Sequence, residues 1–523
     1  MIAPRKLLVL ALDAASPRLL REWAAEGKLP HLAELLASGL SGDTRSVDAL
    51  YVGATWPSFS TGRNPAGHGL YWVEQLRPGT YRSQRWRPTD FGRVKPLWEV
   101  LSDAGRRVAV LDVPLSRLSP GLRGMQLVEW GVHDALFGFR ARPRVLARRI
   151  LRRVGSHPAP RHCDVARRSP AEYRAFAEQL VRGAAARAEL TRYLLGLAEW
   201  DFAIQVFSES HCAGHQLWHY HDSGHPEFDP ALSATSGDLL LKVYRALDAA
   251  IGRVLAGLDA SVTVVLLSLH GMAHSAGAGP LLPEILSRLG VMATADPAVS
   301  GAGVAGALRR SYRALPQGLR APLYHLRQAI NQRWLGRGSP LPDDPARSAC
   351  FVLVCGPACT GIRLNLEGRE PAGRLKPGPE AERFSEMLTR DLLDLVHPDS
   401  GLPLVLRVLR SRALWEGPFQ DALPDLLVEW NLEHPWGTTA LGGRGAVLKA
   451  ASPRIGTVAA VNRYCRTGDH RIEGMFVARG PGLSPGRLTR VISNLDLAPS
   501  FARYLGCDMP GVDGRIIPEL AGE

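Results

Sequence analysis

The stretch Lys6-Leu7-Leu8-Val9-Leu10-Ala11-Leu12-Asp13 decides the fold. Six consecutive apolar residues ending in an acid suit a strand buried on both faces, as in a parallel sheet, which delivers a carboxylate at its carboxyl end. The pattern recurs. Val108–Val113 follows a helix over Pro96–Ala104, and Phe202–Phe207 follows a long amphipathic helix over Tyr173–Leu197. Val262–Ser268 follows a helix over Leu239–Leu258. Helices are also predicted at Pro17–Ala25 and Leu32–Ala37, stopped by Gly27 and Gly39. The alternation predicts an α/β fold: a doubly wound, mostly parallel sheet flanked by helices, with its site at the carboxyl ends of the strands.

The rhythm breaks over 276–346. Arg309–Trp334 reads as helical and Gly336–Arg347 as a linker, so this part is expected to be an inserted, mainly helical cap. Residues 1–275 and 347–523 are assigned to the α/β core. Strand patterns return at Phe351–Val354, Ile362–Leu366, Leu426–Glu429 and Gly474–Ala478.

Composition bounds the function. The chain has 523 residues, of which 46% are hydrophobic and 22% charged, which excludes a disordered protein. The net charge is +13, yet only six of the 63 basic residues are lysine, and no like-charge block forms a nucleic-acid arm. An anionic small molecule is the expected partner, with nucleic acid excluded as the main one. The seven cysteines are irregularly spaced and do not suggest a disulfide framework. Asp13 cuts the N-terminal apolar run too early for a signal peptide, and no stretch reaches the length of a membrane span. The expectation is a cytoplasmic protein.

Chemistry is read from histidines and carboxylates near strand ends. His211 and His215 have the i,i+4 spacing that puts both rings on one helix face. With Asp13, His270 and Asp469-His470 they make a metal-ligand vocabulary, imidazole and carboxylate, suited to zinc, manganese or iron. Three His ligands with an open fourth position would form a catalytic site rather than a structural one. The competing reading of each is local: an N-cap for Asp13, loop or turn residues for the histidines. Glu209, two residues before His211, is a candidate base or partner to a ligand, or an ion-pair partner of a nearby arginine.

Several strings in order resemble the alkaline phosphatase superfamily, in the branch of type I phosphodiesterases and nucleotide pyrophosphatases. They are Asp13 after the first strand, Thr61-Gly-Arg-Asn-Pro65-Ala-Gly-His68-Gly69, Glu209-Ser210-His211 with His215, and Ser268-Leu269-His270-Gly271. Further on come Asn365 with Gly368-Arg369-Glu370, Pro424-Asp425, Gly468-Asp469-His470, and Asp513-Gly514-Arg515. The resemblance covers roughly 5–275 and 350–517. It implies an alkaline-phosphatase-like core and a metal-dependent hydrolase of a phosphoester, phosphodiester or related oxyanion ester. One cation would be held by His211, His215 and His470, the other by Asp13, His270 and a Thr or Ser nucleophile.

The sequence departs from that pattern in three places. His211 stands where the family has Asp. Leu269 stands where it has the Asp of an Asp-His pair. Counting back from Gly62 to the nucleophile lands on Val52, with Thr55 three residues later as the candidate nucleophile. These departures make one cation, with zinc ahead of manganese, the simpler expectation over two. They also keep alive a non-catalytic ligand-binding relative and a phospho-group transferase or mutase.

Overall fold

A computed structural model describes residues 5–521 apart from 88–89, 91–93, 134, 160–166, 168, 277, 294–343, 437–444 and 463–465. The expected helix over Arg309–Trp334, and with it most of the proposed cap, lies outside the described residues.

Five parallel strands form the centre of a ten-stranded sheet, in the spatial order Val262–Ser268, Lys6–Leu12, Phe202–Phe207, Val108–Leu111, Gly124–Val128. Glu473–Arg479 extends one side antiparallel and Arg140–Arg142 the other. The first strand shows why the sequence chooses this arrangement. Successive side chains point to opposite faces, and both faces here are apolar. Leu8, Leu10 and Leu12 enter a core with Trp23 and the helices Pro170–Leu195 and Leu239–Leu255. Leu7, Val9 and Ala11 enter a second core on the opposite face, with Trp56, Phe59, Trp98 and the helix Asn494–Tyr504.

The strands Cys350–Val354, Cys359–Leu364, Val405–Arg410 and Leu426–Trp430 do not extend this sheet. They form a separate four-stranded antiparallel sheet with its own apolar core. The helix Leu282–Arg288 packs into that core through Leu282, Ile285 and Leu286. The packing boundary therefore precedes this helix, and the segment after 347 is shared between two lobes. Apolar strands are legible in sequence, but which sheet each joins is settled by long-range pairing.

Among the described residues no helix is long and apolar enough to cross a membrane. Cys212, Cys350, Cys355, Cys359 and Cys507 are free thiols.

Candidate metal centre

The parallel strands end on one side of the sheet and deliver the site. Asp13 follows the first strand. The strand Phe202–Phe207 runs through Ser208 into the helix Glu209–Leu217, which carries His211 and His215. His270 follows Val262–Ser268, and the ribbon Gly271–His274 pairs antiparallel with Gly468–Arg471, Met272 opposite His470. This two-stranded ribbon carries His470 across a sequence gap of about two hundred and fifty residues to the strand ends.

The Nε2 atom of His211 lies 2.9 Å from that of His215 and 3.2 Å from that of His470. All three side chains are buried, and their ligand atoms lie within 4.8 Å of one another. Zinc–nitrogen bonds of about 2.0–2.1 Å in a tetrahedral site place neighbouring nitrogens about 3.3 Å apart. The arrangement therefore fits a single divalent cation. His215 Nδ1 lies 2.8 Å from the carbonyl oxygen of Gly468, to which it can donate. That bond leaves its Nε2 lone pair for a ligand. Burial lowers the pKa of all three rings, holding them in the neutral, ligating form. One feature opposes the fit: Arg466 Nη1 lies 3.2 Å from His215 Nε2, so a cation must displace the guanidinium.

Asp13 is beside the cluster. Its Oδ2 is 3.2 Å from His211 Nδ1, and its Oδ1 accepts a 3.0 Å bond from the Trp56 indole. Burial works against its charge. His211, His270 and the indole outweigh that effect and hold the carboxyl below its ordinary range. The His270 ring stacks obliquely on His470 at 4.8 Å, and its buried Nδ1 has no hydrogen-bond partner among the described residues. Burial brings its pKa down to about 4. All these groups except His215 line a cavity of about 60 Å³, together with Val52, Trp72, His133 and Arg466.

Two candidate catalytic residues are not where the sequence reading put them. Thr55 is fully buried in the first turn of the helix Thr55–Thr61. Its hydroxyl donates to the Tyr51 carbonyl and lies 2.6 Å from Ser46 Oγ. It is not among the cavity-lining residues; Val52 is. Gly356 of the second lobe approaches Val52 so closely that a Cβ there would come within 3.1 Å of the valine Cβ, at a φ of +125°. The turn before the helix, through the Tyr51 carbonyl, engages the Thr55 hydroxyl.

Glu209 is likewise turned into the core. It accepts from Arg187 Nε at 3.0 Å and lies 2.7 Å from His157 Nε2, while Arg187 Nη1 reaches Asp112 at 2.7 Å. Glu209 is thus the ion-pair partner of Arg187. Leu269 is buried in the apolar core among neighbours such as Val265 and Leu267, and its carbonyl accepts from Asn494.

His133 went unnoticed in the sequence. Its ring lies 4.3 Å from that of His211 and lines the same cavity. The signal was available: His133 follows the strand Gly124–Val128 by a few residues, the same rule that found the others. His219 and His221 face elsewhere, toward Thr467 and Asp238.

The family model for type I phosphodiesterase / nucleotide pyrophosphatase matches residues 7–313, over half of the chain. No curated protein sequence matches it. Among solved structures, phosphonoacetate hydrolase from Sinorhizobium meliloti in complex with phosphonoacetate is similar at 16% identity and a TM-score of 0.49, covering 95% of this chain and 94% of that one. Human ectonucleotide pyrophosphatase / phosphodiesterase 5 is similar at 10% identity and a TM-score of 0.47, covering 98% and 97%. The chain belongs to the type I phosphodiesterase / nucleotide pyrophosphatase family.

Proposed function

We propose that this protein hydrolyses a phosphoester or a related oxyanion ester, with one divalent cation, zinc by preference, held by His211, His215 and His470. The convergence of three Nε2 atoms carries the reading. A set of three neutral imidazoles suits zinc over manganese, which prefers oxygen ligands. A second cation beside Asp13 and His270 would lack both a carboxylate at 269 and a hydroxyl at 52.

When bound, such a cation polarises an oxyanion and makes water more acidic. The chain's own residues do the rest. Asp13, oriented by the Trp56 indole, presents an ionised carboxylate to His211. The unpartnered Nδ1 of neutral His270 is placed to take up or pass on a proton. Arg466, at the cavity wall, offers a guanidinium to the substrate anion. With the Thr55 hydroxyl sealed in its helix, water is the attacking group and no covalent intermediate forms on Thr55.

The test is metal analysis joined to turnover. One zinc per chain, with hydrolysis of an aryl phosphate, diester or sulfate ester lost on chelation and restored by zinc, is expected. Absence of both tight metal and turnover on all of these esters refutes it. A second reading, a ligand-binding relative without chemistry, is favoured by Val52 in the cavity wall. It predicts anion affinity with no hydrolysis in the metal-loaded protein.

A further inference from the structure

Beside the small histidine-lined cavity lies a second one of about 170 Å³, and Trp72 and Arg466 line both. The two differ in character. The first mixes apolar residues with seven ionisable ones, Asp13, Glu129, His133, His211, His270, Arg466 and His470, and has room for an ion and a few atoms. The second is largely apolar, lined by Trp72, Pro280, Pro283, Val352, Val354 and Pro357, with its polar groups gathered in part at Arg466 and Asp469. It sits where the second lobe meets the ribbon that carries His470: Val352 and Val354 lie on the antiparallel sheet and Trp72 packs against that lobe's core, while Asp469 lies on the ribbon strand Gly468–Arg471. Lobe junctions of this kind are usual places for small-molecule sites.

We propose that this side cavity receives the organic group of the substrate, and that the group is a compact, uncharged, apolar one, a single aromatic ring or a short alkyl chain. The proposal rests on the histidine cluster being the seat of the anionic group. Size suits a small group. An apolar cavity of about 150 Å³ accommodates benzene, and about 170 Å³ has room for a ring. Charge sets the orientation. Arg466 lines both cavities, so an anion joined to a ring spans the two with its charge beside the guanidinium.

Binding of methylphosphonate, phenylphosphonate and adenosine 5′-monophosphate to the zinc-loaded protein, measured by calorimetry, tests this. Phenylphosphonate is expected to bind about 30-fold more tightly than methylphosphonate, from the apolar area a ring buries, and more tightly than the nucleotide. Val354→Phe, which fills the cavity, should cut that preference below about threefold and leave methylphosphonate affinity unchanged. Equal binding of the two phosphonates by the wild-type protein, tighter binding of the nucleotide, or no phenylphosphonate binding at millimolar concentration overturns the proposal. So does a preference that survives Val354→Phe in a variant whose melting temperature shows it folded. If that variant does not fold, the wild-type series decides alone. Phenyl preference in a protein that turns over none of the aryl phosphate, diester and sulfate esters upholds the cavity's role while the hydrolase reading fails, so the two fail separately.

Discussion

At the scale of single residues the site depends on imidazoles kept neutral and brought close. His470→Ala removes one of three ligands, and zinc bound per chain after dialysis should fall from about one to near zero, read by elemental analysis. Arg466→Gln should act in the opposite direction. Its guanidinium points at the lone pair a cation needs, 3.2 Å from His215 Nε2. Removing that charge should tighten zinc binding about tenfold while weakening the affinity for anions, both measurable by titration. A role confined to packing would move neither affinity. Val52 and Thr55 make the contrasting case. Counting back from Gly62 lands on Val52, which lines the cavity but has no hydroxyl, while the Thr55 hydroxyl bonds the Tyr51 carbonyl one turn back.

At the scale of elements the helix Glu209–Leu217 is held by a buried ionic cluster, of which the sequence suggested an arginine partner for Glu209 but not which one. Arg187, on the helix Pro170–Leu195, joins Glu209 to Asp112. Burial opposes ionisation of Glu209, but Arg187 and His157 overcome it and bring its pKa down to about 2. Breaking one partner of such a cluster leaves an uncompensated buried charge, at a cost of about 3–5 kcal/mol. Arg187→Met should therefore lower stability by that order, read in urea unfolding. Glu209→Gln should destabilise the fold more than it changes the rate of the metal-loaded enzyme; a selective loss of kcat with normal stability would restore Glu209 as a base. The parallel strands read from the sequence were legible because each is a short apolar run; the long helix, expected from Tyr173, begins earlier, at Pro170 after the N-cap Ser169. The Arg187–Glu209 pairing joins residues on different elements, and no local pattern in either segment names its partner.

At the scale of the whole molecule, acid should unfold the protein through its buried histidines. Burial alone brings His68 to about 3. Burial, with His225 as neighbour, brings His219 to about 3, and His225 lies at about 4. Each is neutral when folded and takes up a proton on unfolding, near the ordinary value of about 6.5. Stability is thus full above pH 6.5 and declines as pH falls toward these lowered values, by about 1.4 kcal/mol per pH unit for each histidine at most. Unfolding free energies of zinc-free protein between pH 7 and 4.5 should show this slope. His68→Gln should reduce it by about one proton, and an unchanged slope would refute the assignment.

The sequence alone determined the parallel sheet, the strand ends that carry Asp13 and His270, and the helical pair His211 and His215, because apolar periodicity and i,i+4 spacing are local properties of the chain. His470 was placed with them only by likeness to a family. Its convergence was decided by the ribbon that pairs Gly271–His274 with Gly468–Arg471. Tertiary structure also decided that the four strands between Cys350 and Trp430 build a second sheet, that the His133 ring lies beside His211, and that the Thr55 and Glu209 side chains are engaged elsewhere. Each of these, the Thr55 bond apart, rests on contacts between segments distant in sequence, and such contacts are fixed by how the lobes and cores close together, not by the residues next in line.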